Sequence, residues 1–197
     1  LIVLALLVSA AVFAVSAEVQ PQPDSVYCPK CNKNVPAAEW TEWTVTSGEF
    51  LGEGHYYLAD TFTAQESTVT IPALKFVCLD LRGNTWITEN MTTLSVSGSL
   101  SIMDSVGGGL ILTTGKNNTA GGFATVELQG EMNLYGGTVQ FVPREDISIS
   151  TGALFTVSGG TVNVRGGTVS GGIAGSTGGN FYATSATNFV LKNGAVV

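Results

Sequence analysis

Two segments thirty residues apart carry one pattern: "MNLYGGTV" at 132–139 and "VNVRGGTV" at 162–169. Each reads apolar–Asn–apolar–x–Gly–Gly–Thr–Val. Looser relatives are "LDLRGNTW" at 79–86 and "LSIMD" at 100–104, so Leu79, Leu100, Met132 and Val162 head units spaced 21, 32 and 30 residues apart. One such unit cannot bury its apolar face alone, whereas stacked units share a continuous core. The period suits one coil of a parallel β-helix, three short strands joined by turns. Side-chain alternation then points Val77, Leu79, Leu81, Met132, Leu134, Val162 and Val164 inward, with Asn133 and Asn163 outward or at a turn. The pairs Gly136-Gly137, Gly159-Gly160 and Gly166-Gly167 are expected to supply positive φ where the coil bends.

Composition supports strands over helices. Charged residues are 12% of the chain against a usual value of about 25%, and there are 25 glycines. A β-sandwich would also give short strands with glycine turns. It is disfavoured by the near-periodic repeats and by the scarcity of two-residue hairpin signals, Asn193-Gly194 being the one Asn-Gly. With 8 Lys+Arg, no basic cluster and a net charge of −7, nucleic acid is not an expected partner.

The chain divides into four parts. Residues 1–17, "LIVLALLVSAAVFAVSA", read as a signal peptide, with Val15 and Ala17 suiting cleavage before Glu18. A retained N-terminal anchor is the alternative. Residues 18–27, with Pro21 and Pro23, read as a linker. Residues 28–53 read as an N-terminal cap, and residues 54–197 as the β-helix. The leader lacks an initiating Met and the end falls in what reads as a strand, so the sequence is expected to be a fragment missing C-terminal coils.

The cap begins with "CPKC", which sets Cys28 and Cys31 two residues apart; the third cysteine is Cys78 and the single histidine is His55. If Tyr56 and Leu58 point inward, His55 points out. Cys78, between Val77 and Leu79, points out as well. The two are 23 residues apart, about one coil, so they can sit on adjacent rungs of one outer face. A Cys28/Cys31 knuckle folded over that face would complete a Cys₃His set, which is a closed, structural zinc arrangement. Its expected role is to cap the open N-terminal end of the coil. The competing reading is a Cys28–Cys31 disulfide with Cys78 buried as a small apolar residue.

Taken together, "CPKC", "HYYLAD", "VCLDLRGNTW", "LSIMD" and the "GGTV" repeats resemble secreted bacterial surface proteins, adhesin-like in role, with right-handed parallel β-helices of the pectate-lyase-like fold. The resemblance covers about residues 27–170. It implies an all-β solenoid at the cell surface or outside the cell. It names no ligand beyond the general class of polysaccharide or host-surface molecules.

Other chemistry is thinly represented. Trp40 and Trp43 could stack a sugar ring, but the simpler expectation packs them in the cap, with Tyr56, Tyr57 and Phe62 in cap or core. Asp80, Asp104, Glu127, Glu131, Glu145 and Asp146 are scattered, and no pair stands out as glycosidase acids. Asp80 and Arg82 read as a local surface pair. With one histidine, no Ser–His–Asp set is available. The glycine runs at 107–109 and 170–180 lack the Lys-Ser/Thr of a phosphate loop. Asn90 and Asn117 begin glycosylation sequons, which matter only in a eukaryotic secretory pathway. The expected function is a secreted or surface-attached, non-catalytic, adhesin-like protein, with membrane contact through the leader or a missing anchor. The alternatives are a polysaccharide lyase or hydrolase, or a carbohydrate-binding module on the same fold.

Overall fold

The computed structural model describes residues 24–44, 52–64, 68–89, 92–114, 122–142, 151–172, 178–185, 187–192, 194–195 and 197. The leader, Glu145, Asp146, Asn90 and Asn117 lie outside them.

Strands β1 (Ser25–Cys28) and β2 (Lys33–Pro36) form an antiparallel hairpin, and a 3-10 turn at Ala37–Glu39 leads to β3 (Trp40–Glu42). Ser25–Tyr27, read above as the end of a linker, are therefore strand. Their alternation buries Val26 and Cys28 on one side while Ser25 and Tyr27 stay exposed. Five strand triplets follow. They are β4 (Gly54–Tyr57), β5 (Phe62–Ala64), β6 (Val69–Ile71); β7 (Phe76–Asp80), β8 (Thr85–Thr88), β9 (Leu94–Val96); and β10 (Ser99–Met103), β11 (Leu110–Thr113), β12 (Gly122–Leu128). Then come β13 (Glu131–Leu134), β14 (Thr138–Phe141), β15 (Thr151–Val157); β16 (Thr161–Val164), β17 (Thr168–Ser170), β18 (Gly178–Ala183); and a last strand β19 (Asn188–Leu191).

Equivalent strands stack in parallel into three sheets. One has seven strands, β19-β16-β13-β10-β7-β4-β3, and two have five, β17-β14-β11-β8-β5 and β18-β15-β12-β9-β6. This is the all-β parallel solenoid that the repeats imply, three-sided, with one strand of each coil on each side.

Register confirms the parity and corrects one alignment. Val77, Leu100, Met132 and Val162 stand opposite one another in successive coils. Leu79 therefore faces Ile102, not Leu100. The shift is by two residues, so every side chain keeps its face. The extra residues of later coils fall between Thr113 and Gly122 and between Phe141 and Thr151.

Inward columns from all three sheets meet in one core. Leu79, Leu100, Ile102, Leu134 and Val162 come from the first sheet; Trp86, Ile111, Val139 and Val169 from the second; Leu94, Val126 and Phe155 from the third, all buried. Each such side chain contributes about 1.5–3 kcal/mol by leaving water. Trp43 joins this core, its ring 5.3 Å from Tyr56 and 5.5 Å from Trp86. The turns behave as the glycine pairs imply, with Gly137 at φ 80 and Gly167 at φ 77. These two also stack: a Cβ on Gly167 would meet the carbonyl oxygen of Gly137 at 2.4 Å.

Candidate metal centre

The outward face of the seven-stranded sheet carries a column set by strand register: Trp40, His55, Cys78, Ser101, Asn133, Asn163 and Val190. His55 and Cys78 are adjacent in it, as their sequence spacing implies. Cys78 is 1% exposed, Asn133 1% and Asn163 5%, although all three point away from the core. Asn163 donates to Asn133 Oδ1 at 3.0 Å, and Asn133 lies 3.5 Å from Ser101 Oγ, so the buried amides satisfy one another.

The β1–β2 hairpin lies over part of this face. Val26, Cys28 and Val35 pack with Trp40, Cys78 and Met103 in a second apolar cluster, flanked by Cys31, Tyr57 and Tyr135. At the hairpin tip Asn32 takes φ 53, a left-handed conformation that Asn tolerates better than most residues. The Tyr27 hydroxyl donates to Asn32 Oδ1 at 2.7 Å. This tight turn aims both knuckle sulfurs at the sheet.

There the four side chains meet. The ligand atoms of Cys28, Cys31, His55 and Cys78 all lie within 4.8 Å of one another. Cys28 Sγ is 3.4 Å from Cys78 Sγ, and Cys31 Sγ is 3.2 Å from His55 Nε2. A tetrahedral ion with ordinary zinc bond lengths sets its ligands about 3.6–3.8 Å apart, so the pocket is of the right size. The backbone N–H of Cys31 points at Cys28 Sγ at 3.4 Å, as suits a knuckle thiolate. All three cysteines are free thiols, so the Cys28–Cys31 disulfide is not formed. Cys28 is completely buried, while Cys31 and His55 are partly exposed at the rim.

The electrostatics suit a cation. The hydrogen bond between Cys28 and Cys78 pulls the Cys28 thiol down to about 5 against the opposing effect of burial. The same bond, and then burial, push Cys78 up. Burial, and then the neighbouring Cys28, raise Cys31. One sulfur is thus readily ionised, and a bound metal would take the others as thiolates while releasing their protons.

The location corrects one expectation. The knuckle sits on the outer face of the seven-stranded sheet, against Trp40, Cys78 and Met103, and not over the end of the coil. Lys30, between the two knuckle cysteines, reaches Glu131 Oε2 at 2.6 Å on β13, two strands beyond Cys78 in sheet order. Sequence reasoning missed this link and the Val26/Val35/Met103 seam. The alternation of Val26 and Cys28 was the only local sign of it.

Trp40 and Trp43 are 5% and 4% exposed, so neither indole offers a face to a sugar. Trp40 packs against the His55 ring at 5.1 Å. Tyr56 is buried in the core, Phe62 packs against it, and Tyr57 lies beneath the Arg82 guanidinium at 3.7 Å. Asp80 is not a surface residue: it is fully buried, accepting from the Ser105 N–H at 2.9 Å and the Ser105 hydroxyl at 2.7 Å. Its Arg82 partner is largely covered too, 15% exposed at its side chain. Asp104 accepts from the N–H groups of Gly83 and Gly109 at 2.8 and 2.7 Å, stitching two successive turns. Glu127 accepts from the Thr92 hydroxyl at 3.2 Å.

The chain matches no protein-family model, no curated protein and no solved structure. What fold and site define together is a class, a parallel β-solenoid bearing a Cys₃His cluster on its flank.

Proposed function

We propose that this chain is a non-catalytic, adhesin-like structural protein of the bacterial cell surface or exterior, built on a rigid solenoid with a structural zinc. The observation that carries the reading is a second outward column. Thr70, Ser95, Glu127, Thr156 and Tyr182 stand in register on the sheet of β6, β9, β12, β15 and β18. It presents one polar side chain per rung, about 4.8 Å apart, to an extended ligand rich in hydroxyl groups. A polysaccharide or a glycosylated host surface has that chemistry. The apolar run at residues 1–17, which reads as a signal peptide, supports export. No helix among the described residues is long and apolar enough to cross a membrane.

Two features weigh against catalysis. Asp80, Asp104, Glu127 and Glu131 are each engaged by hydrogen bonds or an ion pair. The Cys₃His set already supplies four ligands, which leaves a zinc ion no open position for substrate. Three thiolates and an imidazole favour zinc over the oxygen-seeking cations.

The adhesive reading is tested by co-sedimenting the protein with insoluble polysaccharides and assaying the same mixtures for new chain ends. Retention without new ends is expected. Depolymerisation would overturn the reading in favour of a lyase or hydrolase, and failure to bind any glycan would overturn it altogether. Elemental analysis of protein purified without added metal should find one zinc per chain. A zinc-free protein, with Cys28→Ser as stable as the parent, would sink the metal reading.

A further inference from the structure

The hairpin that brings Cys28 and Cys31 to the coil is a structure apart. Among the described residues its two strands pair only with each other, and neither joins any of the three solenoid sheets. The backbone bond from Ala37 N–H to Asp24 O, at 2.9 Å, closes its base within the same segment. A two-stranded hairpin alone is at best marginally stable in water. What holds this one down is a short set of side-chain contacts. They are the apolar seam of Val26 and Val35 against Met103 and its neighbours, the Lys30–Glu131 ion pair and the four clustered ligands.

These contacts differ in strength. The ion pair is over 30% exposed on both sides and so contributes little. Beyond the ligand shell the coil's side of the seam is Trp40 and Met103, with Tyr57 and Tyr135 packed against it. The ligands are split two and two: Cys28 and Cys31 belong to the hairpin, His55 and Cys78 to adjacent strands of the coil. A metal ion held by all four would therefore bridge two bodies that share no backbone ladder among the described residues. The coil's three sheets and its main core cluster, by contrast, contain no residue of the hairpin.

Resting on the zinc reading above, the geometry points to a metal-operated latch. A zinc-like cation locks the 24–36 hairpin onto the flank of the solenoid. Its removal frees the hairpin while the coil stays folded, uncovering Cys78, Met103 and the strip between Tyr57 and Tyr135. The occupant of that strip in the closed state is the chain's own hairpin.

Hydrogen exchange read by mass spectrometry on the full chain tests this, with zinc bound and after removal by a strong chelator. Elemental analysis of both samples establishes first that metal was present and then that it was removed. If no metal is found in the starting protein, the zinc reading itself has failed. With removal of the metal confirmed, amides of residues 25–28 and 33–35 should exchange at least tenfold faster, and Met103 should become oxidisable by dilute peroxide. Amides of 132–134 and 162–164 should be unchanged. Re-addition of zinc should restore protection in the parent and not in Cys31→Ser. Hairpin amides that stay protected without metal would overturn the latch, because docking would then be independent of the ion. Collapse of protection throughout the coil would overturn it too, because the metal would then support the whole fold.

Discussion

Asp80 provides the sharpest test of how this surface is built. Alternation places it outward, where a substitution would cost little; the structure buries it completely. Its Oδ1 accepts the N–H groups of Ser105 at 2.9 Å and Arg82 at 3.2 Å, and its Oδ2 accepts the Ser105 hydroxyl at 2.7 Å. Arg82 Nε stands 3.7 Å from Oδ2, its guanidinium over the Tyr57 ring. Asp80→Ala removes every acceptor and leaves the Arg82 charge beside a cavity. Breaking a buried pair in this way costs about 3–5 kcal/mol. Asp80→Asn keeps one oxygen for the two backbone donors and gives up only the charge and one bond, for about 1–3 kcal/mol. At roughly 2–4 °C per kcal/mol for a chain of this size, the alanine variant should melt about 10 °C lower and the asparagine variant between it and the parent. Thermal and urea unfolding by circular dichroism measure both. If the two variants fall within about 0.5 kcal/mol of the parent, as for an exposed residue, the buried turn does not hold Asp80 as described.

Substitutions at turns and at the hairpin's ion pair have outcomes of definite sign. Leu74 is 99% exposed and held at φ 65, so Leu74→Asn should relieve left-handed strain and raise unfolding stability by about 0.5–1 kcal/mol, leaving the packing undisturbed. Gly167→Ala forces a Cβ to within 2.4 Å of the Gly137 carbonyl at positive φ and should destabilise by about 2–4 kcal/mol. Gly107→Ala, at φ 99 but with open space around it, should cost only about 1–2 kcal/mol for its backbone conformation; equal effects in the two variants would contradict the stacking of the glycine turns. Burial alone would raise the Glu131 carboxyl, but the bonds from Lys30 and then Asn133 hold it below its ordinary value of 4.5. The stability it lends is therefore present above pH 4.5 and lost as the pH falls further, through the lowered folded-state value. Stability curves across that range should show this acid component in the parent, and Glu131→Gln should lack it.

Much of the architecture is legible in the chain because two short-range rules govern it. Strand side chains alternate, and a repeat that cannot bury its own face must stack. From these alone come the solenoid, the inward direction of Val77, Leu79, Met132 and Val162, and the shared outer face of His55 and Cys78. Alternation also tolerates errors of two residues, which is why aligning Leu79 with Leu100 still placed every side chain on its correct side. Parity says where a side chain points and nothing about what comes to lie over it. Cys78, Asp80 and Asn133 all point outward and are all buried. For Cys78 the reason is a docked hairpin whose own sequence shows only a cysteine pair and a brief alternation. The position of the metal ligands on the flank, the reach of Lys30 to Glu131 and the burial of Asp80 under the Ser105 turn depend on contacts between segments far apart in sequence. Local pattern cannot encode those, because each partner alone would satisfy its alternation equally well facing water.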